Sequence, residues 1–296
     1  MTNATPHSAG EFASGVRVET VAFYGAGMLG SAMVRAMLRR GIAVRVWSRS
    51  AHKAQALESD GARAFSDPVE AATGAERIHL CLSDDASVDA VLDAALPGVA
   101  PSSPIVDHTT VTPQGVTDRV RRLGEAGFSF LHAPVFMGPP MALTATGVMM
   151  VSGDPGLVER VRGALEGMCS ELRYLGERPE VAAIYKLMGN AMILAVVGGL
   201  NDVMRIGEEQ GLSRALAYTL FDFFDPSGQI KGRGKRMVSG DYETVWTIDM
   251  ARKDAVLMQV AAHHERLPVI DAVEALLRNV SDRGLGQLDL AAVAQR

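Results

Sequence analysis

Val18-Glu19-Thr20-Val21-Ala22-Phe23-Tyr24-Gly25-Ala26-Gly27-Met28-Leu29-Gly30 runs without a break into Ser31-Ala32-Met33-Val34-Arg35-Ala36-Met37. The first part, Val18–Tyr24, is an apolar run rich in β-branched and aromatic residues and predicts a buried strand; the last has apolar residues at helical spacing. Between them stand glycines in the spacing GxGxxG, placed in the strand, turn and helix context that gives the spacing physical meaning. Gly25 permits a tight turn, Gly27 removes a side chain where a phosphate must approach, and Gly30 lets helix and strand pack closely. Met28 and Leu29 open the helix, whose free N–H groups face the same point, so the segment predicts a grip for the pyrophosphate of a dinucleotide. A ligand-free glycine-rich turn has the same spacing, and weight comes from the elements around it.

Those elements continue the pattern. Short apolar runs at Ala43–Trp47, Arg77–Leu82, Ile105–Asp107, Phe128–Leu131 and Val148–Ser152 alternate with helical stretches at Met28–Arg40, Ala51–Ser59, Ser87–Ala94 and Thr112–Leu123. This alternation predicts an α/β fold with a doubly wound parallel sheet. After about Leu175 the strand-like runs stop, and Val181–Gln210, Ser213–Phe224, Ile248–Glu265 and Pro268–Val280 read as helices. The expected organisation is a flexible tail over 1–17, a Rossmann dinucleotide domain over 18–176 and an all-helical domain over 177–296, joined by the long helix. That helix is apolar around most of its circumference, through Ile184, Leu187, Met188, Ile193, Leu194, Val197 and Leu200. It therefore needs cover on several sides, and a homodimer is expected.

The second strand ends in Ser48-Arg49-Ser50, with Lys53 one turn on. An NAD site carries a carboxylate there for the ribose hydroxyls, whereas Arg49 offers charge and stacking to a 2′-phosphate. The expected cofactor is NADP(H), preferred over NAD(H). The lesser reading of Arg49 is a solvated loop arginine.

Composition narrows the class. Against 29 Lys and Arg stand 34 Asp and Glu, a formal charge of −5, so no net attraction to nucleic acid is on offer. Only two cysteines occur, Cys81 and Cys169, and neither has a metal-ligand spacing. No metal is expected. The first seventeen residues lack a signal-like apolar stretch, and no later segment reads as an uninterrupted membrane span. A cytoplasmic protein with a small-molecule substrate, and without nucleic-acid or membrane partners, is the expectation.

On the long helix, Lys186 and Asn190 stand four residues apart and share a face, among Ile184, Leu187, Met188 and Ile193. Desolvation would lower the lysine pKa toward the range useful for moving a proton to or from a hydroxyl or carbonyl oxygen. A lysine reaching out to solvent beside an ordinary asparagine fits the residues as well.

Five segments in order, Gly25–Gly30, Asp107-His108-Thr109-Thr110, His132-Ala133-Pro134-Val135, Lys186-Leu187-Met188-Gly189-Asn190 and Lys253-Asp254, give the chain a specific resemblance to the β-hydroxyacid dehydrogenases over nearly its whole length. These include 3-hydroxyisobutyrate dehydrogenase and the glyoxylate/succinic semialdehyde reductases, within the 6-phosphogluconate dehydrogenase-like superfamily. The resemblance implies hydride transfer between a nicotinamide and a small carbonyl or alcohol, with Lys186 as general acid/base and Asn190 as its partner. It further implies that Leu82 and Ser83 line the cofactor groove, that Thr110 lies at the nicotinamide end and that Lys253 reaches the cofactor from the helical domain. Read from the residues alone, Ser83 is a turn residue, Thr110 a helix cap before Pro113, and Lys253-Asp254 a solvated pair.

One segment departs from the family. Where Ser-Gly-Gly usually binds a substrate carboxylate, this chain has Phe136-Met137-Gly138-Pro139-Pro140. An aromatic ring replaces the hydroxyl and two prolines remove N–H donors. Val135, Phe136, Met137, Gly138 and Trp246 are the candidate substrate residues, in a more apolar pocket; equally, Phe136 packs into a subunit or domain interface while backbone amides still hold an acid. The glycine-rich turn before the catalytic helix is replaced by Glu177-Arg178-Pro179-Glu180, and the cluster Lys231-Gly232-Arg233-Gly234-Lys235-Arg236 reads first as a solvated loop and second as a substitute anion site. The imine reductases share the fold but commonly lack the lysine, so Lys186 points to carbonyl chemistry while Phe136-Met137 points mildly the other way. A non-catalytic NADPH-binding sensor or scaffold is the remaining alternative.

Overall fold

The protein is described by a computed structural model covering residues 19–263 and 265–295. The tail expected over 1–17 lies outside the described residues, as does Val18. The first half runs β1 (Thr20–Tyr24), α1 (Met28–Arg39), β2 (Ala43–Trp47), α2 (Ala51–Gln55), β3 (Arg63–Phe65), α3 (Pro68–Ala72), β4 (Arg77–Leu80), α4 (Asp85–Ala95), β5 (Ile105–Asp107), α5 (Pro113–Glu125) and β6 (Phe130–His132). These six strands form one parallel sheet in the order β3-β2-β1-β4-β5-β6. The order reverses between β1 and β4, the switch point outside whose carboxyl ends ligands bind in such sheets. Alternate residues of β1 feed two cores, Val21 and Phe23 packing on one face, Ala22 and Tyr24 on the other. Burial on both faces is why the strands read as short continuous apolar runs.

A second, three-stranded sheet follows, from β7 (Val135–Phe136), α6 (Pro139–Thr144), β8 (Val148–Val151), α7 (Pro155–Glu166) and β9 (Glu171–Tyr174). The sequence did not single out β3, α3, β7 or β9, which are two to five residues long and too short for periodicity to speak. Then come α8 (Val181–Glu209), α9 (Arg214–Tyr218), α10 (Ser227–Ser239), α11 (Ile248–Ala261) and α12 (Pro268–Val280). The chain divides into two compact units between Met188 and Gly189, inside α8.

The second unit closes a small core of Ile248, Ala251, Leu277, Val280 and Ala292. Two buried aspartates organise it. Asp202 accepts from the N–H groups of Val269 and Ile270 at 2.8 and 3.0 Å, capping α12 at a start that offers no capping side chain of its own. Asp289 accepts from the N–H groups of Val245, Trp246 and Ala291, with Arg233 and Arg236 each 3.7 Å away. The segment Lys231–Arg236, expected as a solvated loop, is therefore part of helix α10. Its arginines are drawn inward by a carboxylate far along the chain, which outweighs the helix-weakening effect of Gly232 and Gly234.

Helix α8 carries a second correction. By length and composition it could cross a membrane, with a mean hydropathy of 1.7 over an 18-residue window of which 11% is buried. The expectation that no segment has that character does not hold. Met192, Ile193, Leu194, Val196 and Val197 stand exposed along it among the described residues.

Three histidines sit in the core of the first unit. The His108 Nδ1–H donates to the Ala133 carbonyl at 2.7 Å, which leaves its Nε2 to accept from His79 Nδ1–H at 2.8 Å. Arg77 Nε–H then donates to His79 Nε2 at 2.7 Å, and Arg77 pairs with Glu19. Each ring is neutral and its tautomer is set by its neighbour. Burial pushes His79 well below the ordinary histidine range, and His108 and His132 down to about 4. These lowered values contribute stability that is present above pH ~6.5 and lost as the pH falls toward 4. Asp107, raised to about 7 by burial, acts in the opposite sense, its contribution being lost as pH rises toward 7. Three histidines outweigh one carboxyl by a net two protons, about 3 kcal/mol per pH unit at the steepest. Urea midpoints should fall markedly between pH 7 and pH 5; an unchanged midpoint would contradict the neutral relay.

Candidate active site and cofactor cleft

The turn after β1 is built by two contacts that admit only glycine. Gly25 has φ +107°, and a Cβ there would lie 2.2 Å from the Cys81 carbonyl oxygen at the end of β4. A Cβ on Gly30 would lie 2.1 Å from the Gly25 carbonyl oxygen. Gly27 differs, because a Cβ there would meet nothing within 4 Å. It stands at the start of α1 with extended backbone, φ −73° and ψ −178°, and without a capping side chain. The first-turn N–H groups of α1 have no helical acceptor, so the open space over Gly27 faces unsatisfied donors and the positive end of the helix. A pyrophosphate fits that donor set.

A cleft of about 390 Å³ extends from this turn. It brings together Gly25, Gly27, Ser48, Arg49, Ser50, Lys53, Leu82 and Ser83 from the sequence-predicted set. The Arg49 and Lys53 side chains have no ion-pair partner among the described residues. Leu82 is fixed by its N–H, which donates to the Thr109 hydroxyl at 2.9 Å. Sequence reasoning missed Trp47, Cys81, Ser87, Ala90 and Val91, which line the same cleft. The spacing of Ser87, Ala90 and Val91 on one face of α4 was the available signal. The Ser83 and Ser87 hydroxyls are 2.8 Å apart.

Asp84 is a finding of the tertiary structure. Its carboxylate caps α4 by accepting from the Ser87 N–H at 2.8 Å. The Ser87 hydrogen bonds, then one from Ser83 and last the positive charge of Arg49, hold it below the usual carboxylate range. The end of β2 lacks a carboxylate in sequence, yet the fold brings one into the electrostatic reach of Arg49.

Met28, 84% exposed, lines a neighbouring hollow with Gly27, Ser31, Arg35 and Pro139. Leu29 packs on the core below. Pro139 thus joins the glycine turn to the Phe136–Pro140 segment. Val135 is buried, its side chain within the core, while Met137 packs beside Gly147. Gly138 starts α6, whose first two residues are Pro139 and Pro140. Phe136 meets Lys186, whose ammonium stands 4.6 Å from the ring centroid. Among the described residues Lys186 has no carboxylate partner, and desolvation lowers its pKa from the ordinary lysine value. Asn190, four residues on, shares the Lys186 face of α8. Thr110 is exposed, and the cap of α5 is Thr112, which accepts from the Gly115 N–H at 3.1 Å.

In the second unit, Lys253 is exposed on α11 and pairs with Asp254 at 2.7 Å, beside a hollow lined by Asp249, Arg252 and Ser281. Trp246 is half-buried against the small core, with Arg233 5.4 Å above its ring. Among the described residues no group of three or more His, Cys, Asp or Glu could hold a metal ion.

Residues 20–176 match the family described as the NAD binding domain of 6-phosphogluconate dehydrogenase. The chain is 32% identical over 190 residues to the NADH-dependent oxidoreductase ucdB of Aspergillus ustus, covering 62% of this chain and 64% of that protein's length. It is 27% identical over 288 residues to the 3-sulfolactaldehyde reductase of Escherichia coli, covering 93% of this chain and 95% of the relative. In fold it is similar to an imine reductase from Pseudomonas sp., with a TM-score of 0.86 at 21% identity over 95% of this chain and 100% of the other. The strand order, the glycine turn and the matched segment meet at one place, and the chain belongs to the 6-phosphogluconate dehydrogenase NAD-binding family of NAD(P)-dependent dehydrogenases and reductases.

Proposed function

We propose that this protein transfers a hydride between NADPH and a small carbonyl compound or its alcohol, with Lys186 as general acid/base. The observation that carries the reading is Lys186 itself, a half-buried lysine that no carboxylate neutralises among the described residues, and whose pKa desolvation lowers. Such a lysine is poised to give up a proton more readily than a solvated one. The nicotinamide, when bound, supplies or takes the hydride. In reduction Lys186 Nζ donates a proton to the substrate oxygen, and in oxidation it accepts one. Asn190, sharing the same helix face, orients the amine or the substrate oxygen. Gly27 and the start of α1 hold the pyrophosphate. Thr110 and Lys253 are proposed as further cofactor contacts, and Trp246 as a substrate contact.

The preference for NADPH is supported by Arg49 and Lys53 in the cleft with Ser48 and Ser50. Replacing Arg49 by alanine should lower the ratio of kcat/KM for NADPH over NADH about tenfold or more, the scale of one charge-assisted phosphate contact. An unchanged ratio would sink the assignment. An imine substrate is the second reading, favoured by the aromatic ring at Phe136. Parallel screens of aldehydes, ketones and cyclic imines with both cofactors separate the two, because faster turnover of imines would displace the carbonyl reading.

A second copy of the chain is the partner we propose for the exposed α8 face of Ile193, Leu194 and Val197. Sedimentation at twice the chain mass, without detergent, is the expected result. A monomer would leave that face to another partner.

A further inference from the structure

We infer that Phe136 sets the substrate class of this site, so that it takes carbonyl compounds whose remainder is uncharged and apolar, and discriminates against those bearing a carboxylate. The inference rests on the reading of Lys186 as the proton donor. Phe136 offers no hydrogen-bond donor, and its ring faces the Lys186 ammonium at 4.6 Å. The next element gives no help to an anion. Helix α6 begins with Pro139 and Pro140, so the two first-turn positions where a helix would present N–H groups carry none. Met137 turns into the core and packs against Gly147. A carboxylate laid on the Phe136 ring and the two prolines would shed water against groups that carry no donor, a costly burial.

Among the described residues the cation that faces the Phe136 ring is Lys186, and pairing a carboxylate with it defeats the chemistry. A negative charge within a few ångströms favours the ammonium form and makes it a weaker acid. The ring favours the ammonium far more weakly than a counter-ion does, and desolvation sets the net direction of the shift. It holds the ammonium in place through its quadrupole, yet adds no formal charge and keeps water away, in keeping with the lowered pKa. An uncharged substrate end packs on the same ring face without competing for the proton. Pro139, beside Met28 and Gly27 in the adjoining hollow, ties this apolar segment to the pyrophosphate turn.

The test is a matched pair, 4-oxobutanoate and its methyl ester, with NADPH and the full chain. The wild-type protein should favour the ester by about tenfold or more in kcat/KM, the scale expected when a site must desolvate a charge it cannot pair. Phe136→Ser should shrink or reverse that ratio through a gain on the acid. Phe136→Leu, which keeps the apolar surface but removes the ring, should retain the preference for the ester while shifting the lysine limb of the pH profile. A wild-type preference for the acid, or a ratio that Phe136→Ser leaves alone, overturns the inference while leaving Lys186 catalysis intact. If neither compound is reduced, quenching of bound NADPH fluorescence by butanoate and methyl butanoate reads the same preference as affinities. Tighter binding of the ester then supports the apolar site although the reductase reading fails, and equal or tighter binding of the acid overturns it.

Discussion

Replacing Lys186 by alanine should lower kcat about a hundredfold or more while leaving the dissociation constant of NADPH nearly unchanged. Positioned acid/base groups contribute roughly 10²–10⁴-fold, and this lysine is the candidate for that role by its burial and its lack of a counter-ion among the described residues. Its contact is with Phe136, and the cofactor cleft is lined by other residues. The loss should therefore fall on the chemical step, with kcat and kcat/KM reduced together. The pH profile gives a second readout. Desolvation lowers the pKa, so the protonated donor is lost at a lower pH than for a solvated lysine. Reduction should slow as pH rises through that value and oxidation should gain, and the alanine variant should lack the limb. A variant that keeps its rate, or keeps the limb, would falsify the assignment.

Gly27→Val should leave the fold intact and weaken cofactor binding by more than about a hundredfold. The backbone at Gly27 suits any residue, and a side chain there meets no protein atom within 4 Å. What it fills is the open space in front of the α1 N–H groups. Losing two charge-assisted hydrogen bonds costs roughly 3–6 kcal/mol, which is two or more powers of ten in affinity. Gly30→Ala should behave oppositely. Its Cβ would collide with the Gly25 carbonyl at 2.1 Å and crowd the Phe23 ring at 3.2 Å, so the helix must shift and the apo protein itself should melt earlier. Thermal melts with and without NADPH separate the two. The wild type should gain stability from the ligand, the valine variant should match the apo wild type and gain nothing, and the Gly30→Ala variant should start lower. A valine variant that still gains fully from NADPH would place the pyrophosphate elsewhere.

The strand, turn and helix at Thr20–Arg39 were legible because their signals are local, as were β2, β5 and α12, whose bounds match those read from periodicity. The long helix was legible to within a residue. Helix α10 was not, since two glycines and a run of basic residues imitate a loop, and what holds its arginines is Asp289. Most residues that line the cleft in the first half were legible because a βα turn and the end of the next strand supply them in a set order. Ser87, Ala90 and Val91 were missed because a helix face reaches the cleft only after the sheet has formed.

Sequence alone thus determined the doubly wound sheet, the glycine turn, and the pair of Lys186 and Asn190 on one helix face. These follow from periods and spacings within one element or its immediate neighbour. Only the tertiary structure decided that Phe136 lies under Lys186, that Asp84 stands within electrostatic reach of Arg49, and that His79 and His108 form a neutral relay ending on Ala133. Each joins residues from separate strands, helices or loops, and such contacts depend on which elements become neighbours and at what register. Desolvation and through-space charge act over distance in space, and a one-dimensional pattern does not record that distance.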